Sequence, residues 1–360
     1  MSEVDHESLA EYLEAEESEL LEEVEGKEGA VNKGSHNNKS RRVAALLRKH
    51  DNQKIVQSPH QAEHLLQQDV DVVVHMGCHS IQTPHIVDGT MDILESLGMT
   101  TVPLGGFNNC CGILDFQNGD VETAQSVDDN RFRNIEAFDP DYAITECTSC
   151  FATSDKLSMG YRDPDGYEFT SMIEFLHDRR EQLREMAEVT DPVTIALHDH
   201  YDGFDWTPID EAHMARELFE TLPGVEIVEM EHTLEDGLPC NFYSDLSQWE
   251  YDDLTEQVYQ EAADAGADLL INFWHACHRN MVVYDPHFPL ETRNYANFIG
   301  ERLGFEYRDI TKEYKLAARN GKIDAILNDA APVLEANGIS DSEARSIIRE
   351  DLAPQQDKGC

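Results

Sequence analysis

The sequence predicts an α/β fold made of two tandem parallel-sheet modules related by internal duplication, with helical N- and C-terminal extensions. Three observations predict it. Short apolar or β-branched runs alternate with longer amphipathic stretches, the signature of strands joined by crossover helices. Residues 141–150 align with residues 268–277 without a gap. Cysteines fall just past the ends of the apolar runs, and a parallel sheet builds its site beyond the carboxyl ends of its strands.

The elements follow in order. Residues 1–39 form an acidic arm in which Leu9, Leu13, Leu20 and Val24 have helical spacing, a solvated segment or a helix that docks on a partner. Ser40 is placed to cap a short basic helix carrying Val43, Leu46 and Leu47. The folded body is expected to begin near residue 68. The run Val70–Met76 reads as a buried parallel strand, followed by a helix from Pro84 to Leu97 that Gly98 ends. A strand over Thr100–Pro103, a helix over Val121–Phe138 and a strand over Tyr142–Glu146 complete the first module. The second repeats the order: strand Val193–Leu197, helix Glu211–Leu222, strand Val225–Val228, helix Tyr251–Ala265 and strand Leu269–Phe273. Two or three helices close the chain, and Ser340 with Glu343 has the spacing of a capping box. The expected organisation is therefore 1–67 for the arm and basic helix, 68–190 and 191–307 for the modules, and 308–360 for the C-terminal helices.

Charge excludes several function classes. The chain has 72 acidic against 27 basic residues and a formal charge of -45. A reader of nucleic acid needs a basic face, and an anionic membrane surface would repel this protein. The acids run through the whole length, where their mutual repulsion would strain a compact state at low salt. A high-salt cytoplasm is the expected setting. No segment has the order of a secretory signal, and no stretch approaches the roughly 18 apolar residues of a membrane span. Direct membrane insertion is not expected, and any membrane association would run through a partner.

Five of the eight cysteines carry the strongest signal: Cys78, the adjacent pair Cys110 and Cys111, and Cys147 with Cys150. In a reducing interior such clustering means metal or redox chemistry rather than structural disulfides. The Cys147–Cys150 spacing taken alone fits a redox dithiol, a zinc corner or a cluster ligand pair. It lacks the Pro or Gly of a thioredoxin-type motif, since Thr148 and Ser149 fill the gap. Five thiolates exceed what one tetrahedral zinc needs and suit an iron–sulfur cluster. Gly112 is expected to let the loop pass close to such a cluster, and His75 and His79 to donate hydrogen bonds to its sulfur.

A lone Cys, a Cys-Cys-Gly and a Cys-x-x-Cys at these distances resemble the cysteine-rich CCG domain. That domain occurs in tandem in the B subunit of heterodisulfide reductase and in iron–sulfur subunits of glycolate, lactate, glycerol-3-phosphate and succinate oxidoreductases. The resemblance covers residues 70 to 285 and implies two Rossmann-like CCG modules. It further implies that Cys78, Cys110, Cys111, Cys147 and Cys150 hold a noncubane [4Fe–4S] cluster.

The second copy departs from that pattern. Cys240 and Cys277 remain, while Tyr201, Pro239 and Trp274 stand at the other ligand positions. His200, His275 and His278 lie close by, so Cys240, Cys277, His200 and His275 form a candidate zinc site; a decayed repeat is the alternative. His198 and Asp199 end a strand at the expected rim and form a candidate proton relay. No ferredoxin-type cysteine run and no dinucleotide fingerprint are present, so electrons are expected from a partner subunit carrying flavin or cubane clusters. The resemblance implies a redox subunit that reduces or forms a small disulfide. The alternatives are an electron relay in a 2-hydroxy-acid or polyol dehydrogenase complex and a non-catalytic zinc scaffold.

Overall fold

Each module is a four-stranded parallel sheet whose central strands are apolar enough to be buried on both faces. The computed structural model of the chain describes residues 41–47, 55–156, 158, 166–199, 209–238 and 248–352. In the first module β1 (Val72–His75), β2 (Thr101–Leu104), β3 (Tyr142–Thr145) and β4 (Glu168–Ser171) lie in the order β2-β1-β3-β4. In the second, β5 (Val193–Leu197), β6 (Val225–Ile227), β7 (Leu269–Asn272) and β8 (Glu291–Asn294) take the matching order β6-β5-β7-β8. Val72, Val73 and Val74 are fully buried, as a doubly covered parallel strand requires.

The two registers superimpose. Val72 stands opposite Tyr142 in the first sheet, and Ile195 opposite Leu269 in the second. Tyr142 and Leu269 are 127 residues apart and Val72 and Ile195 are 123 apart. Those are the offsets that the sequence alignment gives for Cys147 with Trp274 and for Cys78 with Tyr201.

Two strands escaped the sequence reading. β4 and β8 are the polar edge strands Glu-Phe-Thr-Ser and Glu-Thr-Arg-Asn, with no β-branched run to announce them. Each runs straight into a helix. Ser171 accepts a hydrogen bond from Glu174 N at the start of the helix Met172–His177, and Asn294 accepts one from Ala296 N at the start of Tyr295–Arg302.

The described helices, in chain order, are α1 (residues 41–47), α2 (Pro84–Ser96), α3 (Ile113–Gln117), α4 (Val121–Glu136), α5 (Thr148–Lys156) and α6 (Met172–His177). They continue with α7 (Arg180–Met186), α8 (Ile209–Thr221), α9 (Gln248–Asp264), α10 (His275–Met281) and α11 (Tyr295–Arg302). The C-terminal set is α12 (Ile310–Arg319), α13 (Ile323–Ala336) and α14 (Asp341–Ile347).

The modules join by exchanging helices. α2, which follows the first strand of one module, packs on α11, which follows the last strand of the other; α6 and α8 make the reciprocal contact. One core therefore crosses the boundary. Val72, Val74 and Ile144 belong to the same apolar cluster as Ile195, Leu197 and Ile271. Asn297 on α11 donates to the His85 carbonyl on α2 at 2.6 Å.

The body begins earlier than residue 68. Val56 bridges in parallel to Leu104, extending the first sheet beyond β2. The acidic arm of residues 1–39 and Ser40 lie outside the described residues. α1 docks at the far end of the chain: Val43, Leu46 and Leu47 are buried among Tyr314, Ile326, Ala330 and Ile347 of the C-terminal helices. Ser340 caps α14 by accepting from Glu343 N, as its spacing predicts. Among the described residues no helix is long and apolar enough to cross a membrane.

Leu46→Ala removes a fully buried side chain from this N- to C-terminal contact. It should cost about 2–5 kcal/mol in denaturant unfolding despite its distance from either sheet; a loss under about 0.5 kcal/mol would mean that α1 is dispensable.

Candidate metal centre

Three strand ends deliver the five cysteines to one rim. Cys78 follows β1, Cys110 and Cys111 lie in the loop after β2, and Cys147 follows β3. All five are buried, none more than 5% exposed. Thiol contacts link Cys110 to Cys111, Cys111 to Cys150 and Cys150 to Cys147. Cys78 comes in beside Gly77, where a Cβ would stand 3.5 Å from the Cys150 sulfur. Gly77 has φ +76°, so the chain turns in the left-handed region where it meets the sulfurs.

Gly112 also meets a second helix. At φ +75° its Cβ position lies 2.5 Å from the Ala124 carbonyl oxygen, so the glycine lets the cysteine loop press on the α4 backbone. Its amide N–H points at Cys110 Sγ, 3.5 Å away.

Cys147 immediately precedes α5 and behaves as an N-cap, its sulfur accepting from the Cys150 backbone N–H. Burial alone would raise its thiol. The Cys150 thiol, the facing His275 and that N–H together hold it well below the ordinary thiol value. Contacts with Cys111 and Cys147 raise Cys150, which keeps the shared proton.

His275 belongs to α10 of the second module. Arg279 donates to its Nδ1 at 2.9 Å, and arginine is only a donor, so the ring proton sits on Nε2. Nε2 is the atom on the thiol side, 3.6 Å from the Gly77 Cβ position. The second module thus supplies a hydrogen-bond donor to a thiolate of the first. The structure sets His275 against Cys147, while Cys277 is buried among Trp274, Tyr259 and Met281. Cys240 and His200, with Tyr201 and Pro239, lie outside the described residues.

His75 does not serve sulfur. Its Nε2 donates to the Asn109 carbonyl at 2.6 Å and its Nδ1 accepts from Arg131 at 3.4 Å, so the ring fixes the backbone just before Cys110. Burial, with Arg131 adjacent, lowers its pKa to about 3, which keeps it neutral. Arg131 is itself fully buried and pairs with Asp128 at 2.5 Å. His79 packs edge-on to Phe107, and its Nδ1 meets the Gln82 amide at 3.3 Å.

Asp199 is placed as a strut. Its carboxylate accepts from Arg216, from Thr233 Oγ1 at 2.8 Å and from Leu234 N at 3.0 Å, tying β5 to the loop after β6. Beside it, His198 is buried and its backbone N–H bonds Ile271 O. The carboxylate expected in a proton relay is thereby committed to holding the loop.

Three residues at the site had not been singled out from the sequence. Asp128 and Arg131 sit at i and i+3 on the same buried stripe of α4 as Ala124, Phe132 and Ile135. A charged pair on an apolar stripe is a legible signal. Glu146, next to Cys147, is 1% exposed and neither carboxylate oxygen has a hydrogen-bond partner. Burial and the adjacent Cys147 push its carboxyl well above the usual range, so it stays protonated.

Residues 72–154 match the family model of the CCG cysteine-rich domain. The match lies wholly within the first sheet module. It contains all five clustered cysteines and Gly112. CCG domains go with iron–sulfur oxidoreductase subunits. No curated protein matches the chain. The donor set of this module fits an iron–sulfur cluster: five soft ligands, water nearly excluded, and N–H groups from Cys150, Gly112 and His275 around the sulfurs. Among the described residues the thiols touch in a chain of pairs, and no three of them fall mutually within 4.8 Å. One ion with metal–sulfur bonds of about 2.3 Å would gather them more tightly.

Two substitutions test the scaffold. Gly112→Ala would drive a methyl into the Ala124 carbonyl, and iron bound per chain should fall to less than half; undiminished iron would remove this contact from the site's requirements. Arg131→Met strands Asp128 in the core and should cost about 3–5 kcal/mol by denaturant unfolding, whereas a neutral outcome would show that the pair carries no load.

Proposed function

We propose that this chain is the iron–sulfur redox subunit of a larger oxidoreductase, with Cys78, Cys110, Cys111, Cys147 and Cys150 holding a noncubane [4Fe–4S] cluster. The convergence of five buried cysteines from three strand ends of a CCG domain carries the reading. A cluster held there would supply one-electron transfer and an iron face able to take a sulfur ligand.

The chain's own residues prepare the site for that chemistry. Cys147 is held as a thiolate by the Cys150 N–H and by His275 Nε2. Glu146 carries its proton on a buried carboxyl beside that thiolate. Arg131, through His75, fixes the backbone that presents Cys110. The reaction is reduction, or in reverse formation, of a small disulfide: two electrons and two protons open one S–S bond to two thiols. Electrons come from partner subunits carrying flavin or cubane clusters. The -45 charge supports a high-salt cytoplasm, with any membrane contact made by a partner.

One observation favours a second reading. With all five clustered cysteines at 5% exposure or less, the centre is screened enough to act as an electron relay for a 2-hydroxy-acid or polyol dehydrogenase partner.

Anaerobic purification at molar salt, followed by metal analysis and EPR, tests the proposal. About four iron and four labile sulfide per chain are expected, lost in Cys111→Ser and retained in Cys277→Ser. Colourless protein with zinc on the thiols would replace the redox reading with a zinc scaffold. A disulfide that alters the EPR spectrum of the oxidised protein supports disulfide chemistry; an unchanged spectrum together with reduction by a flavoprotein supports the relay.

A further inference from the structure

We propose that His85, His278 and Asp309 form a separate metal site that binds one divalent transition ion, zinc foremost, independent of the cysteine centre. The three residues come from three parts of the fold: α2 of the first module, α10 of the second, and the N-cap of α12 in the C-terminal helices. Their ligand atoms converge. His85 Nε2 lies 3.0 Å from His278 Nε2, His278 Nε2 lies 2.7 Å from Asp309 Oδ2, and His85 Nε2 lies 3.5 Å from Asp309 Oδ1. Ligands bonded at about 2.0–2.1 Å to one tetrahedral ion stand roughly 3.3 Å apart, so the triangle has the size that zinc requires.

Hydrogen bonding alone leaves this triangle frustrated. A proton on His278 Nε2 can point squarely at Asp309 or at His85, not at both. A proton on His85 Nε2 serves His278 but leaves the His278 lone pair facing a carboxylate at 2.7 Å. Protons on both nitrogens crowd one another across 3.0 Å, and the one on His85 has only the distant Asp309 Oδ1, at 3.5 Å, to turn to. A cation between the three accepts a lone pair from each and removes the conflict.

Burial and orientation point the same way. The imidazoles are 4% and 1% exposed, while the Asp309 side chain is 19% exposed and leaves a solvent-facing side for a fourth ligand. His85 Nδ1 has no hydrogen-bond partner, so nothing but the Nε2 contacts orients that ring by hydrogen bonding. His278 Nδ1 meets the Asn272 amide at 3.5 Å, and Asp309 Oδ1 accepts from Lys312 N at 2.9 Å, supports of the kind that metal ligands use. Arg293 is the nearby cation, and Glu291 and Glu301 pair with it. Two neutral nitrogens and one carboxylate select zinc or ferrous iron over magnesium or calcium. The bound ion would clamp both modules to the C-terminal helices.

The experiment is zinc analysis and zinc-edge X-ray absorption on full-length, iron-loaded protein dialysed against micromolar zinc. One zinc per chain, with nitrogen and oxygen ligands near 2.0 Å and no sulfur shell, is expected. Asp309→Asn keeps the helix cap and should weaken zinc binding more than tenfold. His85→Ala should abolish it, with iron content unchanged in both variants. His232→Ala alters the second three-residue group within ligand reach among the described residues, Glu231, His232 and Glu261, and should leave zinc in place. Less than a tenth of an equivalent of zinc, a sulfur shell near 2.3 Å, or zinc lost from His232→Ala but kept in His85→Ala would overturn the proposal.

Discussion

The reciprocal packing of α2 on α11 and α6 on α8 is the contact on which the rest of the molecule depends. α6 and α11 follow the edge strands β4 and β8 without a gap, so there the strand ends and the helix contacts are set together. One continuous core results, and the rim of the first sheet is held against α10 of the second. His275 reaches Cys147 only because of that docking. A centre built from the first module alone would have solvent where His275, Arg279 and Trp274 now stand.

Much of the fold was legible because buried parallel strands announce themselves. Val72–Val74, Val193–Leu197 and Leu269–Asn272 are apolar runs with no competing period, and their positions were read to within a residue or two. β4 and β8 were not readable, since edge strands pair on one side and tolerate Glu, Arg and Asn. Their real signal was positional: each ends in an N-capping residue, Ser171 or Asn294, 123 residues apart. The docking of α1 on the C-terminal helices was likewise invisible, because a contact spanning the whole chain leaves no local pattern.

At the site the cysteines were readable and their supports were not. Thiolate spacing is a one-dimensional signal. The tautomer of His275 is not, since it depends on Arg279 donating to the opposite nitrogen in the second module. Gly112 shows the limit of motif reasoning. Its presence was expected, yet the crowding it relieves is against Ala124 of α4, a partner that only the packed helix reveals. Asp199 taught the reverse lesson, for a residue beside a histidine at a strand end turned out to be a loop anchor.

The helix exchange also has a temporal consequence. A chain emerging from the ribosome presents the whole first sheet and all five clustered cysteines before α8, α10 and α11 exist. Until those later helices arrive, α2 and α6 have no partners and the thiols lack one wall. A cluster on these thiols, as proposed, would either enter a finished, water-poor pocket after translation passes α11 or precede docking and be sealed in by it. Either order ties maturation of the centre to completion of the second half, and a truncated chain would carry the full set of ligands without the enclosure that protects them.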